Sequence, residues 1–499
     1  MRIFGTETEY GIIDESNPGA NPIALSAQLV QKYAASLRPE PVRWDYVSED
    51  PLNDLRGIRF ERGSVHPSQL TDNPHQMAPS GENIAALPIS VPATVLPNGA
   101  RFYVDHAHPE YSSPETASVL QAVLQDKAGE VLGRRVLKVA TECGQKLALF
   151  KNNVDGKGAS YGAHENYLVR RDLPFTDLTA LMVPFLVTRP VVCGAGRVGI
   201  GQASSRAGFQ ISQRADYIEN DIGLETTFNR PLVNTRDEPH ANPQKWRRLH
   251  IICGDANMLD YSTYLRMGTT ALLLEYLESG GGGMEATALE IDGDPVAYVS
   301  AVSHDPHFNV TISTRSGMNV SAAEHQLLFA EIIGDALTQR GLLVGAHARV
   351  HDLWVQVLQS LQTDRDLAAR RVEWVAKYRL FEAMRQRKNT TWDDPVLAAM
   401  DLQWSKLQSP LFVKLSGHVD QLFSEDEAAA ALDFPPADTR ALFRGLATRF
   451  NQVKAASWTS LVVAQGGELR RYYLPEVGEV PEMVADEPNM DLEAFISAL

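Results

Sequence analysis

Residues 2–13 read RIFGTETEYGII, and this stretch decides the architecture. β-Branched and aromatic residues recur along it with the period of two that marks a strand. That period puts Glu7 and Glu9 on one face. Two neighbouring carboxylates repel, and the arrangement costs free energy unless a cation lies between them. A divalent metal is the simplest partner, and oxygen ligands suit Mg²⁺. The plain alternative is a solvated face on an edge strand, and spacing alone leaves both open.

A second polar strand lies further on, RFYVDHAHPEY at 101–111. Arg101, Tyr103 and Asp105 share one face of it, and Phe102 and Val104 take the other. A strand with one polar and one apolar face is half-buried, and its polar side lines something. Arg101 suits a phosphate, Asp105 a base or nucleophile, and Glu110 a metal. An ordinary surface ion pair fits the same residues equally well. Two further polar clusters, 151–167 and 234–240, each set a histidine (His164 and His240) beside acidic and amide groups. Such a histidine is either a ligand or a hydrogen-bonded structural residue.

Two glycine motifs are decoys. Gly194 to Gly199 spells GxGxxG, but Ile200 to Ser205 does not read as the helix that a dinucleotide site requires. Gly156-Lys157-Gly158 lacks P-loop spacing. Neither a GxSxG elbow nor an HExxH helix occurs. ATP bound by this chain would therefore rely on metal ions to offset its phosphate charge.

The 499 residues allow one large and one small domain, or about three average ones, and 44% hydrophobic content supports a sizeable core. A net charge of −16 disfavours nonspecific nucleic-acid binding, while leaving room for a local basic patch around Lys245, Arg247 and Arg248. No apolar run approaches the roughly 18–20 residues of a membrane span. Charges at the N-terminus argue against a signal peptide. Cys143, Cys193 and Cys253 form no CxxC pair, which fits a reducing cytoplasm. Helices are expected at 25–36, at 114–136 with Pro114 in the first turn, at 261–278 and through 322–390. Strands are expected at 146–152, 164–171 and 248–254. Residues 40–97, rich in Pro, Asn, Asp, Ser and Gly, read as a long inserted loop, partly mobile. Ser424 and Glu427 form a capping box. It opens a small C-terminal domain, 426–499, with an acidic tail, which leaves residues 1–425 as the large domain.

Several long runs together resemble one family. They are GTETEYGI (5–12), NGARFYVDHAHPEYSSPE (98–115), LFKNNVDGKGASYGAHENYL (149–168), PFLVTRPVVCGAGRVGIG (184–201), LVNTRDEPHA (232–241), RRLHIICGDANM (247–258) and GTTALLLEYLE (268–278). The chain is similar over nearly its whole length to the Pup ligase/deamidase family of the carboxylate–amine ligase superfamily. One arm joins Pup, a prokaryotic ubiquitin-like protein, to lysines. The other deamidates the C-terminal glutamine of Pup and removes Pup from proteins. YVDHAHPEYS, NNVDGKGASYG and the insertion with Arg43-Trp44-Asp45-Tyr46 resemble the deamidase arm.

The resemblance implies an α+β fold, a glutamine-synthetase-like curved antiparallel sheet packed with helices, plus the small C-terminal domain. It implies Glu7, Tyr103 and Glu110 as Mg²⁺ ligands, with Glu9, His164 and His240 as further ones. Arg101, Ser113 and Trp458 would contact ATP, Arg236 its phosphates, and Asp105 would be the catalytic aspartate. Ser113 stands where the ligase arm has threonine and keeps the hydroxyl. The implied partners are Pup and pupylated proteins, with no nucleic acid and no membrane. The implied reaction is hydrolysis at the side-chain carbonyl of a C-terminal Glx, with Mg-ATP as cofactor. The rival readings are Pup–protein ligase and another ATP-dependent carboxylate–amine ligase.

Overall fold

The structure is a computed structural model that describes residues 2–65, 92–155, 158–479 and 490–499. Among these, twelve strands form one sheet. Its order is Asn220–Gly223, Pro231–Asn234, Trp246–Ile251, Ala163–Arg170, Phe4–Glu9, His108–Ser112, Arg101–Asp105, Ala93–Val95, Arg43–Trp44, Val453–Ala456, Ser460–Gln465 and Glu468–Tyr473. The centre is antiparallel, as expected. Each flank adds one parallel pairing, Asn220–Gly223 with Pro231–Asn234 and Arg43–Trp44 with Val453–Ala456.

Alternation decides which face each strand buries. Phe102 and Val104 pack behind the sheet with Leu29 and Tyr33 of the helix Pro22–Leu37 and Leu132 and Val136 of the helix Val119–Glu142. Burying a side chain like Phe102 stabilises the fold by about 1.5–3 kcal/mol. On the same rear face Thr8 donates to Asp126 Oδ1 at 3.1 Å. Lys151 Nζ binds Asp126 at 2.7 Å and Glu130 at 2.9 Å. Lys151, from one of the polar clusters, is thus a buried structural cation behind the central strand.

The helix expected from Pro114 begins later, at Val119, capped by Ser118 Oγ, which accepts from Gln121 N at 3.2 Å. Backbone pairing explains the delay. Thr116 exchanges both hydrogen bonds with Phe4, so the chain is still attached to the sheet there. The helix Asp260–Glu278 ends at Ser279, and Gly280 then takes a φ of +90°, open to glycine. The capping box of Ser424 and Glu427 is present and opens the helix Glu425–Asp433. The GxGxxG segment leads into a strand, Arg197–Ile200, which turns back onto Arg206–Gln210, so no helix follows it.

The segment read as a long loop carries structure at both ends. Arg43–Trp44 and Ala93–Val95 belong to the sheet, and Tyr46–Ser48 and Arg62–Ser64 are 3-10 turns. Residues 66–91 of it lie outside the described residues. Arg43–Trp44 joins the C-terminal strands to the rest of the sheet. Val42, Trp44 and Val95 share an apolar cluster with Phe443, Val453, Leu461 and Phe495 of the tail helix Leu492–Ser497. Arg247 is buried and donates to Arg171 O at 2.7 Å, and Arg248 faces the opposite side of the sheet. The two arginines therefore do not share one face.

A second attachment runs through Glu115. Arg440 Nε donates to it at 2.9 Å and Arg444 grips it with two nitrogens. Burial would raise the Glu115 pKa, but Arg444 and then Arg440 outweigh it and pull it down to about 2. A carboxylate with a depressed folded pKa stabilises above its unfolded value and loses that contribution as pH falls through the folded value. Stability from this group is therefore complete above pH ~4.5 and fades toward pH 2, by roughly 3 kcal/mol in all. Glu115→Gln leaves two buried guanidiniums uncompensated and should cost on the order of 3–5 kcal/mol at pH 7. Denaturant melts at pH 7, 4.5 and 3 check this: wild type should lose more stability than the variant between pH 4.5 and 3.

Candidate functional site

The front face of the central strands carries the polar residues. Glu7 pairs with Ser112 on one side and His164 on the other, and Arg101 pairs with Ser112. One row across the sheet therefore runs Arg101, Ser112, Glu7, His164. The next row runs Tyr103, Glu110, Glu9. Asp105 pairs with His108 at the end of the hairpin. Directly opposed side chains in an antiparallel sheet have Cβ atoms about 4.5–5.5 Å apart, so Glu9 and Glu110 are forced together.

Each carboxylate meets this crowding differently. Glu7 accepts from Arg248 at 3.0 Å and Asn166 at 3.1 Å, and His164 Nδ1 lies 3.1 Å away. Burial alone would raise its pKa; Arg248, then His164 and His250, hold it well below the ordinary carboxylate range. Glu9 bonds His108 Nδ1 at 2.9 Å and accepts the Gly162 N–H at 2.6 Å. Glu110 lacks any such cation. Its Oε2 is buried and accepts no hydrogen bond, and burial followed by repulsion from Asp105, Glu9 and Glu7 pushes its pKa well above normal. An orphaned buried oxygen among like charges is what a divalent cation would satisfy. The donor set, three carboxylates with the Tyr103 hydroxyl, suits Mg²⁺.

Among the described residues, Glu7, His164 and His250 bring ligand atoms within 4.8 Å of one another. His240 lies elsewhere in the site. Its φ is +47°, its ring centre is 6.3 Å from that of Trp458, and burial, then Arg248 and Arg440, push its pKa down to about 3. It is a neutral imidazole at neutral pH.

Arg101 stands in an aromatic box. Its guanidinium carbon is 3.8 Å from the Tyr103 ring centre and 4.9 Å from those of Trp44 and Tyr46. It donates to Glu49 at 3.2 Å and to the Tyr46 hydroxyl at 3.0 Å. Glu49 is itself buried, which lifts its pKa to about 7 against the pull of Arg101. Trp458 packs edge-on to Trp44, 4.7 Å between ring centres. The Ser113 hydroxyl is engaged with backbone, accepting from Thr6 N at 2.9 Å and donating to Pro114 O at 3.1 Å. Arg236 lies beside Asp54, to which its backbone is bridged.

The carboxylates, the histidines, Arg101, Ser113, Arg236 and Trp458 face one cavity of about 1150 Å³. Every residue singled out from the sequence as a metal, nucleotide or catalytic candidate lines it. Arg101, His240, Arg440 and Trp458 line it, and so do Arg214 and Arg230. Sequence reading missed Arg248, His250 and Asn166, and also Tyr46, Glu49, Arg214 and Arg230. Arg248 and His250 carried a usable signal, since they alternate with Leu249 and Ile251 as Glu7 and Glu9 alternate with threonines.

Asp105 is the carboxylate nearest the turn. Burial would raise its pKa; the hydrogen bond and charge of His106, then His164 and Arg101, bring it below the usual value. It is therefore ionised at neutral pH and able to accept a proton or attack a carbonyl.

The model of the Pup-ligase protein family matches residues 2–462. A Pup deamidase/depupylase of Mycolicibacterium smegmatis is 44% identical over 479 residues, spanning 94% of this chain and 92% of that protein. The Pup ligase PafA in its complex with Pup superimposes with a TM-score of 0.77 at 29% identity, covering 97% of this chain and 91% of PafA. PafA in complex with ADP gives 0.72 at 34% identity, over 80% and 89%. With the family model spanning most of its length and so close a relative aligned nearly end to end, this chain belongs to the Pup-ligase protein family.

Proposed function

We propose that the chain hydrolyses the side-chain amide at the C-terminal Glx of Pup, deamidating glutamine to glutamate and cleaving the Pup–lysine isopeptide bond. The observation that carries this is Asp105 on the same strand face as Arg101 and Tyr103, beside crowded carboxylates in one large cavity. The relative at 44% identity is named for both reactions, whereas a Pup–protein ligase of Kineococcus radiotolerans is 37% identical over 379 residues, 73% of this chain. Pup is disordered and acidic in the family, and the net charge of −16 would repel such a partner. Arg214, Arg230 and Arg236 line the cavity and would meet an acidic partner there.

On this reading Glu7, Glu9, Tyr103 and Glu110 hold Mg²⁺, with His164 as a further ligand, His250 beside it, and His240 as another further along the cavity. Arg101, Ser113, Arg236 and Trp458 contact ATP, and the segment 426–499 acts as a small domain that supplies Trp458. When bound, the metal supplies positive charge that stabilises a developing oxyanion. Asp105 either attacks the carbonyl or takes the proton of an attacking water. Arg248 keeps Glu7 ionised, and Asn166 fixes its orientation. The cytoplasm is the proposed compartment. Three free cysteines fit it, and no helix among the described residues is long and apolar enough to cross a membrane.

Two outcomes test this reading. With Pup ending in glutamine and Mg-ATP, mass spectrometry should record the gain of about one dalton, and Asp105→Asn should slow it by about 10²–10⁴-fold with Pup affinity kept. Efficient conjugation of Pup ending in glutamate to a lysine acceptor would mark a ligase instead. Turnover of a small amino acid without Pup would mark another carboxylate–amine ligase. In thermal melts Mg-ATP at a hundredfold over its Kd should stabilise wild type by about 2.7 kcal/mol. Glu110→Gln should abolish most of that gain while matching or exceeding wild-type stability in EDTA, because it removes one of the crowded charges.

A further inference from the structure

We propose that His106 is a second catalytic residue, the acid that protonates the departing nitrogen and later takes back a proton from Asp105. This deepens the amide-hydrolysis reading and rests on it.

His106 and Ala107 are the two turn residues between the paired positions Asp105 and His108. Two-residue hairpin turns of this kind usually place Asn, Asp or Gly where φ is positive. Here His106 takes a φ of +49°, a conformation that costs a side chain of its size free energy. In that conformation its Nδ1 lies 3.0 Å from Asp105 Oδ1. The turn is pinned from behind, where Ser26 of the helix Pro22–Leu37 donates to Ala107 O at 2.8 Å. The hairpin backbone that carries the imidazole is thus anchored to that helix.

The other histidines lining the cavity have different duties. His108 bonds Glu9 and lies against the Tyr161 ring, 4.3 Å between centres. His164 and His250 face Glu7, and His240 stands by Trp458. His106 alone among them contacts Asp105 at ion-pair distance. Its side chain is 44% exposed and that of Asp105 27%, so both are reachable from the cavity.

The chemistry needs such a group. An amine does not leave a tetrahedral centre as an anion, so cleavage requires an acid as well as a base. Asp105 takes one proton from water as the oxygen–carbon bond forms. The carbon–nitrogen bond then breaks as the proton on the His106 imidazolium passes to nitrogen, releasing ammonia or the lysine amine. The proton held by Asp105 moves to His106 across their contact, and one water has been consumed.

Leaving-group chemistry separates this role from a structural one. The full-length protein with Mg-ATP would be given Pup ending in glutamine, and Pup whose terminal side chain is a γ-phenyl ester, whose phenolate departs without a proton. His106→Asn is the variant of choice, because asparagine accepts positive φ and so preserves the turn. Its kcat/KM should fall about 10²–10⁴-fold on the amide and less than about tenfold on the ester, with Pup affinity unchanged. His106→Ala, lacking any hydrogen-bonding group, should repeat the pattern. Equal losses on both substrates, or no loss on the amide, would overturn the role of His106 while leaving amide hydrolysis standing. A wild-type protein inert toward both substrates would overturn the hydrolase reading and this proposal together.

Discussion

Like charges forced together govern this molecule. Antiparallel pairing sets Glu9 opposite Glu110, and Glu7 lies two residues along the same strand face. No side chain would choose that arrangement in water. It persists because the rear of the same strands is committed to a dry interior, where Phe102 and Val104 pack against two long helices and Thr8 reaches the Asp126–Lys151 pair. A slip of one residue would turn the glutamates into that interior, so packing at the back dictates repulsion at the front.

The repulsion is resolved unevenly, and the unevenness carries the chemistry. Arg248 neutralises Glu7, and His108 with the Gly162 amide supports Glu9. Glu110 is left with a buried oxygen that accepts no hydrogen bond. The deficit of positive charge is thus focused at one point between the two rows, while Asp105 at the hairpin end has its own histidine. On the proposed reading, that point of ground-state instability is where a cation would sit.

Much of this was legible in the sequence because strand alternation is a local signal. Glu7 with Glu9, and Arg101 with Tyr103 and Asp105, needed only a period of two. Arg248 and His250 obey the same rule, but Arg247 beside them masks it, since two adjacent arginines read as a basic patch rather than as opposite faces. Pro114 misled for a tertiary reason: it suits a helix start, yet pairing of Thr116 with Phe4 keeps the chain in the sheet until Ser118. Tyr46 and Glu49 come from an aperiodic stretch. Arg43–Trp44 is two residues long, too short for any period, and its role depends on strands more than four hundred residues later.

That distant pairing bears on how the chain is made. Strands from the first third of the polypeptide supply the acidic rows, but the wall bearing Trp458 is added only when the final strands dock on Arg43–Trp44. Until then the growing polypeptide presents an open backbone edge there, a template for unwanted association. A ribosome-bound intermediate would therefore carry its carboxylates while one side of the chamber is still missing, until the strands around residue 470 have emerged.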